Sequence, residues 1–531
     1  MQDTQTNVIR PLQVSHSGLH NREKEKQDTM NKTPQTNLLY IHSDQHSPYV
    51  NGCYGDPLVR TPHLDELAAQ GVVFDHTYCP SPICVPSRMS MLSGRHPHEN
   101  GVWTNNQILD SGIPTLAHAM GAGGYQPVLI GRMHSNGPDQ LRGYAERLVG
   151  DHGPNQMGGR GVDHGFLSGT AGPGRVSLEK AGHGQSAYQV HDEDVTAATI
   201  DFFNRLGVKK RAGQPAEPFS LAVGLMLPHQ PFVARRADYE YYYENMFPPR
   251  TLEPFGDHLH PHIKAWRSDC GIEAVSEEEI RRARAAYWAL VERMDVLIGQ
   301  ILAALRENDL ADNTLIVYTS DHGEQVGEHG LWWKQTFYED SVKVPAILSW
   351  PGQLPAGVRS QRVISSLDLN ATMLDALDCP ALPASRGRSL LPLLRGETTT
   401  WDDVAFSELC YDAAGAGGPF PVEGTFQRMI RRGPWKLVYY HDLPSQLFNL
   451  EEDPRETRDR ATDPACQEVV AELTAEVLNG WNPEDISARL AQWREESKVL
   501  AGWGRTVQPP DVCRWDLRPE MDFLDEQQMG D

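Results

Sequence analysis

The run Pro80-Ser-Pro-Ile-Cys84-Val-Pro86-Ser87-Arg88, with Gly94-Arg95 downstream, puts a thiol where a helix should begin. Pro86 falls in the first turn of that helix and Gly94 near its end. A group at a helix N-terminus faces unpaired N–H donors and the positive end of the dipole, which favours an anion there. Arg88, one turn on, points a guanidinium toward the same place. These residues alone support either a low-pKa thiol or an inert buried cysteine, and the buried cysteine is the commoner case.

Asp44 and Gln45 offer two adjacent oxygen donors just after the apolar run Asn37-Leu-Leu-Tyr-Ile-His42. Such a pair suits a hard cation like Ca²⁺ or Mg²⁺, although after a strand it is more often a turn or a helix cap. A third cluster, Ser320-Asp321-His322-Gly323-Glu324, continues to Gly327-Glu328-His329-Gly330 and Lys334. Its glycines permit a tight loop. His329 is read as ordering that loop rather than binding metal. Arg132 and His134 follow Gln126–Gly131, and His229 follows Phe219–Leu225 and Pro228. Singly, such histidines are more often structural.

The elements that must position these groups alternate between two periods. Asn37–His42, Val72–Phe74, Gln126–Gly131, Phe219–Leu225, Thr314–Ser320 and Val344–Leu348 read as strands. Thr61-Pro62 opens a short helix that ends before Gly71. Leu290, Met294, Leu297, Ile298, Ile301, Leu302 and Leu305 recur at helical spacing within 277–306. Strands alternating with helices imply an α/β fold, a large mostly parallel sheet covered on both faces. Ligands then sit beyond the strands' carboxyl ends, and four strands here run into Asp, Gln, Arg or His. The Gly- and His-rich stretch 150–190 reads as a long loop over the site. From 401 the texture changes to short antiparallel strands at 404–407, 426–430, 436–440 and 446–448. The expected organisation is a disordered extension over 1–35, a catalytic domain over 36–400, a smaller antiparallel-sheet subdomain over 401–460, and a helical and irregular tail over 461–531. The tail carries a helix near 464–479. Met30 is a second candidate start.

Cys84-x-Pro86-Ser87-Arg88 with Gly94-Arg95 resembles the signature of type I sulfatases, in the alkaline phosphatase superfamily. The resemblance covers roughly 36–460, with the motifs in family order. It implies an alkaline phosphatase-like fold and conversion of Cys84 to Cα-formylglycine. One hydroxyl of the hydrate would attack sulfur; the other would later expel sulfate by re-forming the aldehyde. It also implies one divalent cation, Ca²⁺ foremost with Mg²⁺ or Mn²⁺ as alternatives, held by Asp44, Gln45, residue 84, Asp321 and His322. Lys334 matches the family lysine on the sulfate group. Gly131-Arg132-Met133-His134 is similar to the family's Gly-Lys-x-His, with Arg132 in place of lysine, a planar fork for a point charge. Leu227-Pro228-His229 is similar to the segment whose histidine lies beside the leaving-group oxygen. His229 or Lys334 would protonate that oxygen. Most of the family carries two Asp where this chain has Asp44-Gln45, and the Asp-Gln form resembles the branch with choline sulfatases and phosphonate monoester hydrolases. Partners implied are a sulfate ester substrate, a formylglycine-generating or other maturation enzyme, and a homo-oligomer contact through the C-terminal tail.

Net charge −23 and a pI near 5.3 argue against a nucleic-acid partner. No apolar run approaches membrane-spanning length, and the first 35 residues carry no apolar signal core. The eight cysteines are scattered without a CxxC pair; a reducing, cytoplasmic setting is expected. Two other readings stay open. A phosphonate or phosphate ester hydrolase would use the same scaffold, although Pro86-Ser87 favours the sulfatase. A non-catalytic metal- or anion-binding protein would keep Cys84 as a thiol. The alcohol portion is open among choline, aryl and sugar. Trp103, Trp332, Trp333 and Tyr411 would form either an aromatic wall for it or part of the core.

Overall fold

In the computed structural model the described residues are 35–214, 217–251, 259–411 and 425–525. Apart from residue 35, the expected disordered extension lies outside them.

The apolar runs become one large sheet built from β1 (Asn37–Asp44), β2 (Val72–Tyr78), β3 (Gln126–Gly131), β4 (Glu146–Arg147), β5 (Phe219–Pro228), β6 (Thr314–Ser320), β7 (Lys343–Val344), β8 (Ala346–Ser349) and β9 (Val358–Ser365). Their spatial order is β9-β2-β8-β6-β1-β5-β3-β4, with β7 beside β2. Neighbours run parallel except at β7 and β8, which are antiparallel to the strands they pair with. The single strand expected over 344–348 is split at Pro345, whose missing N–H cannot serve a ladder.

β1, β5 and β6 are buried along their whole length. Alternate side chains therefore feed two cores. Leu39 and Ile41 face one cluster with Leu290, Met294, Leu297 and Ile301; Leu38 and Tyr40 face another with Val85, Met89, Leu92 and Met373. Covering the sheet are α1 (Pro62–Ala69), α2 (Cys84–Ser93), α3 (Ala187–Arg211), α4 (Glu277–Glu307) and α5 (Ser366–Ala376). A capping box starts α4, where Ser276 and Glu279 satisfy each other's backbone N–H groups. At α1 the Thr61 hydroxyl makes no such cap; it accepts from the Gly52 N–H instead.

A second, antiparallel sheet follows, made of β10 (Val404–Cys410), β11 (Phe426–Arg432), β12 (Trp435–Tyr440) and β13 (Gln446–Asn449) in sequence order. The chain ends in α6 (Gln467–Leu478) and α7 (Pro483–Val507) before a short strand, Phe523–Leu524, that pairs with Gly184–Gln185. Neither α3 nor α7 is visible as a periodic pattern. The inward face of α3 carries Gln189, His191, Asp192, Thr196 and Thr199, while α7 buries little beyond Ile486 and Leu490. Among the described residues no helix is long and apolar enough to cross a membrane.

Candidate active site

β6, β1, β5 and β3 lie side by side, and their carboxyl ends release Asp321-His322, Asp44-Gln45, His229 and Arg132 in turn. Two glycines let the chain turn there. A Cβ on Gly323 would fall 2.1 Å from the Asp340 carbonyl, and Gly131 has φ +93° with the Gly224 carbonyl 2.2 Å from its would-be Cβ. α2 brings Cys84 across from beyond β2: Ile83 enters extended, Cys84 is the first helical residue, and Gly94 closes the helix at φ 71°.

Four of the residues singled out meet. One ligand-capable atom from each of Asp44, Cys84, Asp321 and His322 lies within 4.8 Å of the other three, all buried. Cys84 Sγ is 3.1 Å from His322 Nε2 and 3.7 Å from Asp44 Oδ1. His322 Nδ1 lies 3.0 Å from the Gly323 carbonyl oxygen. A proton donated there leaves the Nε2 lone pair directed at the cluster.

Two guanidinium groups balance these acids. Arg88 Nε donates to Asp321 Oδ2 at 2.8 Å, Nη2 lies 3.1 Å from Asp44 Oδ2, and Nη1 is 2.8 Å from His42 Nδ1. Arg88 was expected to aim at position 84; it sits under the two carboxylates instead. Arg132 Nε donates to Asp44 Oδ2 at 2.8 Å and Nη2 to His134 Nδ1 at 2.9 Å. Burial alone would raise the Asp44 carboxyl, but Arg132 and Arg88 hold it well below the usual carboxylate range. Burial and then Arg132 push the His134 imidazole well below its ordinary value, so it is neutral and accepts from Arg132.

Lys334 closes the other side. Its Nζ lies 3.3 Å from Cys84 Sγ, 2.8 Å from His229 Nε2 and 2.5 Å from Gln45 Oε1. Burial and then Lys334 depress His229, whose Nδ1 is 2.6 Å from the Gln230 carbonyl oxygen. A neutral His229 with its proton on Nδ1 accepts from Lys334 through Nε2. Burial, aided by Asp44 and opposed by Lys334, pushes the Cys84 thiol up to about 11. Of the two readings left open for the thiol, this favours the buried cysteine: an unmodified Cys84 stays protonated at neutral pH and is a poor nucleophile.

Gln45, expected as a second oxygen ligand, has hydrogen-bond partners at both ends of its amide. Its amide oxygen accepts from Lys334 while its amide nitrogen donates to Gln230 Oε1 at 2.6 Å and to Glu324. His329 orders its loop, stacking on Tyr338 at 4.0 Å. Trp103, Trp332, Trp333 and Tyr411 are core residues, all buried, with Trp332 packed on Phe232 and Trp333 donating to Ser177 Oγ at 3.0 Å. Sequence reasoning did not single out Asp151, Tyr188, Gln230 or Glu324. Asp151 accepts from Arg147 at 2.6 Å and from the His134 N–H at 2.8 Å, and the Tyr188 ring meets His229 edge-on at 5.8 Å. Glu324 lies inside the quoted Asp-His-Gly-Glu run, and Asp151 and Tyr188 fall in the 150–190 stretch expected over the site.

Comparison with known proteins agrees with this geometry. The sulfatase family model matches residues 36–379, and a model described as N-sulphoglucosamine sulphohydrolase, C-terminal, matches 327–481. The chain is 32% identical to a choline-sulfatase of Rhizobium meliloti (strain 1021), over 83% of this chain and 86% of that one. It is 28% identical to arylsulfatase K of Mus musculus, over 92% and 86% respectively. Among solved structures, the phosphonate monoester hydrolase of Silicibacter pomeroyi shares the fold with a TM-score of 0.66 at 26% identity, over 84% of this chain and 95% of that one. The chain belongs to the sulfatase family, in the alkaline phosphatase superfamily, and is a sulfuric ester hydrolase.

Proposed function

We propose that the protein hydrolyses a sulfate monoester to an alcohol and inorganic sulfate at position 84, with Cys84 converted to formylglycine and one divalent cation beside it. The observation that carries this reading is the convergence of Asp44, Cys84, Asp321 and His322 within 4.8 Å of one another, with Lys334 against the Cys84 sulfur. Two carboxylates and an imidazole, all buried, fit a divalent cation. The carboxylate oxygens favour a hard cation, Ca²⁺ foremost, with Mg²⁺ and Mn²⁺ as alternatives. Asp44, Asp321 and His322 would hold the ion, and its charge would offset that of the sulfate oxygens. Formylglycine at position 84 would, as its hydrate, supply one hydroxyl to displace the alcohol from sulfur and a second whose deprotonation would re-form the aldehyde as the bond to sulfate breaks.

The chain's own residues do the rest. Arg88, paired with both Asp44 and Asp321, holds the two carboxylates in place. Arg132 and His134 form the cationic and polar wall on the β3 side. Lys334 and His229, in contact at 2.8 Å, would stabilise the sulfate oxygens and protonate the departing alkoxide. Cys84 is 1% exposed, so a maturation enzyme must reach it before the fold closes.

The same reading includes a cytoplasmic setting, supported by eight unpaired cysteines. It includes a homo-oligomer through the C-terminal segment, supported by Val499, Trp503 and Val507, exposed at four-residue spacing along α7. The domain boundaries near 400 and 460 are proposed likewise, supported by the change of sheet at β10.

The test compares kcat/KM for an aryl sulfate and a phenyl phosphonate ester. A faster sulfate reaction supports the proposal; a decisively faster phosphonate reaction would make the chain a phosphonate hydrolase on this scaffold. A residue 84 that remains an unmodified thiol in protein from its native host would support the non-catalytic reading instead.

A further inference from the structure

Glu324 lies two residues past His322, is 0% exposed, and takes no part in the catalysis proposed above. Its carboxylate gathers three donors. Oε1 accepts from the Val326 N–H at 3.0 Å and from the Trp333 N–H at 2.6 Å, and Oε2 accepts from Gln45 Nε2. The two backbone donors lie on opposite limbs of the loop that carries Lys334, and Val326, Trp333 and Gln45 all hold positive φ. Non-glycine residues persist in that region only where their surroundings over-determine them.

An amide side chain has two nearly isosteric orientations, distinguished only by what it faces. With its nitrogen fixed on Glu324 and Gln230, Gln45 must present its oxygen to Lys334. The ammonium has three protons, and three acceptors stand around it: Gln45 Oε1, His229 Nε2 and Cys84 Sγ. Its orientation is thereby set. Turned over, Gln45 would bring an N–H₂ group against the ammonium.

We infer that Glu324 is a positioning residue, which orients the Gln45 amide so that Gln45, rather than ligating the cation, holds Lys334 against position 84. This rests on the proposed role of Lys334 toward the leaving-group oxygen. A Glu324→Gln side chain keeps the volume but sets an N–H₂ group among donors.

The experiment is a leaving-group series of aryl sulfates, measured on formylglycine-bearing protein for the parent, E324Q, Q45L and K334A, with bound cation quantified in each. Loss of a well-placed proton donor should grow as the leaving phenol becomes more basic, reaching about 10²-fold for the poorest leaving group. K334A should show this trend most strongly, with E324Q and Q45L following it at full cation content. E324D, which keeps the charge with a shorter reach, should recover part of the loss. An equal loss across the series in E324Q, or cation loss in Q45L, would overturn the inference. A flat series in K334A itself would instead remove the role of Lys334 on which it rests.

Discussion

Lys334 and Cys84, 250 residues apart in the chain, meet with Nζ 3.3 Å from Sγ. The contact joins the loop after β6 to the first residue of α2. It makes the site a product of the sheet's topology rather than of any one motif, and the expectations below follow from it.

Removing the cation should abolish turnover and lower thermal stability together. Without it, the buried carboxylates of Asp44 and Asp321 lose the ion's charge and keep that of Arg88, Arg132 and the nearby Lys334. Chelation followed by calorimetry should show a lower Tm that returns when Ca²⁺ is restored, because a ligand bound only by the folded state stabilises it. An unchanged Tm and unchanged rate after complete removal, verified by metal analysis, would contradict this.

Arg88→Ala should destabilise the fold by about 3–5 kcal/mol, the usual cost of stripping one partner from a buried ion pair. It leaves two carboxylates facing each other at 0–1% exposure. Arg88→Lys keeps the charge but cannot fork between Asp44 and Asp321, so it should retain most stability and lose activity. Denaturant melts and rates on both variants test this. Equal stability of parent and R88A would refute it.

Stability should fall as pH drops below about 6.5. Burial depresses His96 to about 4, His262 to about 3 and His329 to about 4. Between those values and the unfolded imidazole pKa, only the unfolded chain takes up the proton. Stability therefore rises with pH across that window, each group contributing up to about 1.4 kcal/mol per pH unit. Tm measured from pH 7.5 to 5 should decline. His262→Gln should flatten the slope, and an unchanged slope would remove that histidine from the account.

Much of this arrangement was readable from residues alone, for identifiable reasons. Strands buried on both faces announce themselves as apolar runs, so β3 and β6 match the expected 126–131 and 314–320. α4 likewise shows its apolar stripe. Helices that bury polar residues give no such signal: α3 stood hidden because Gln189, His191 and Asp192 point inward to hydrogen-bond partners. In the site, Asp44, Cys84, Asp321 and His322 were legible because the runs that carry them resemble sulfatase motifs; their placement at strand ends and a helix start alone also fits a turn, a cap or a buried cysteine. The orientation of Gln45 was not, since it depends on Glu324 and Gln230 arriving from two other segments. The resting place of Arg88 depends on both carboxylates, which adjacent strands deliver.

The central claim is that residue 84, as formylglycine, makes the attack on sulfur. The most direct measurement pairs the fraction of formylglycine in the residue-84 peptide, by mass spectrometry, with sulfate release from an aryl sulfate on the same preparations. Activity should rise in proportion to that fraction and extrapolate to zero, with Cys84→Ala inactive at every cation concentration. Substantial turnover by Cys84→Ala, or full activity in protein whose residue 84 is wholly thiol, would contradict the account.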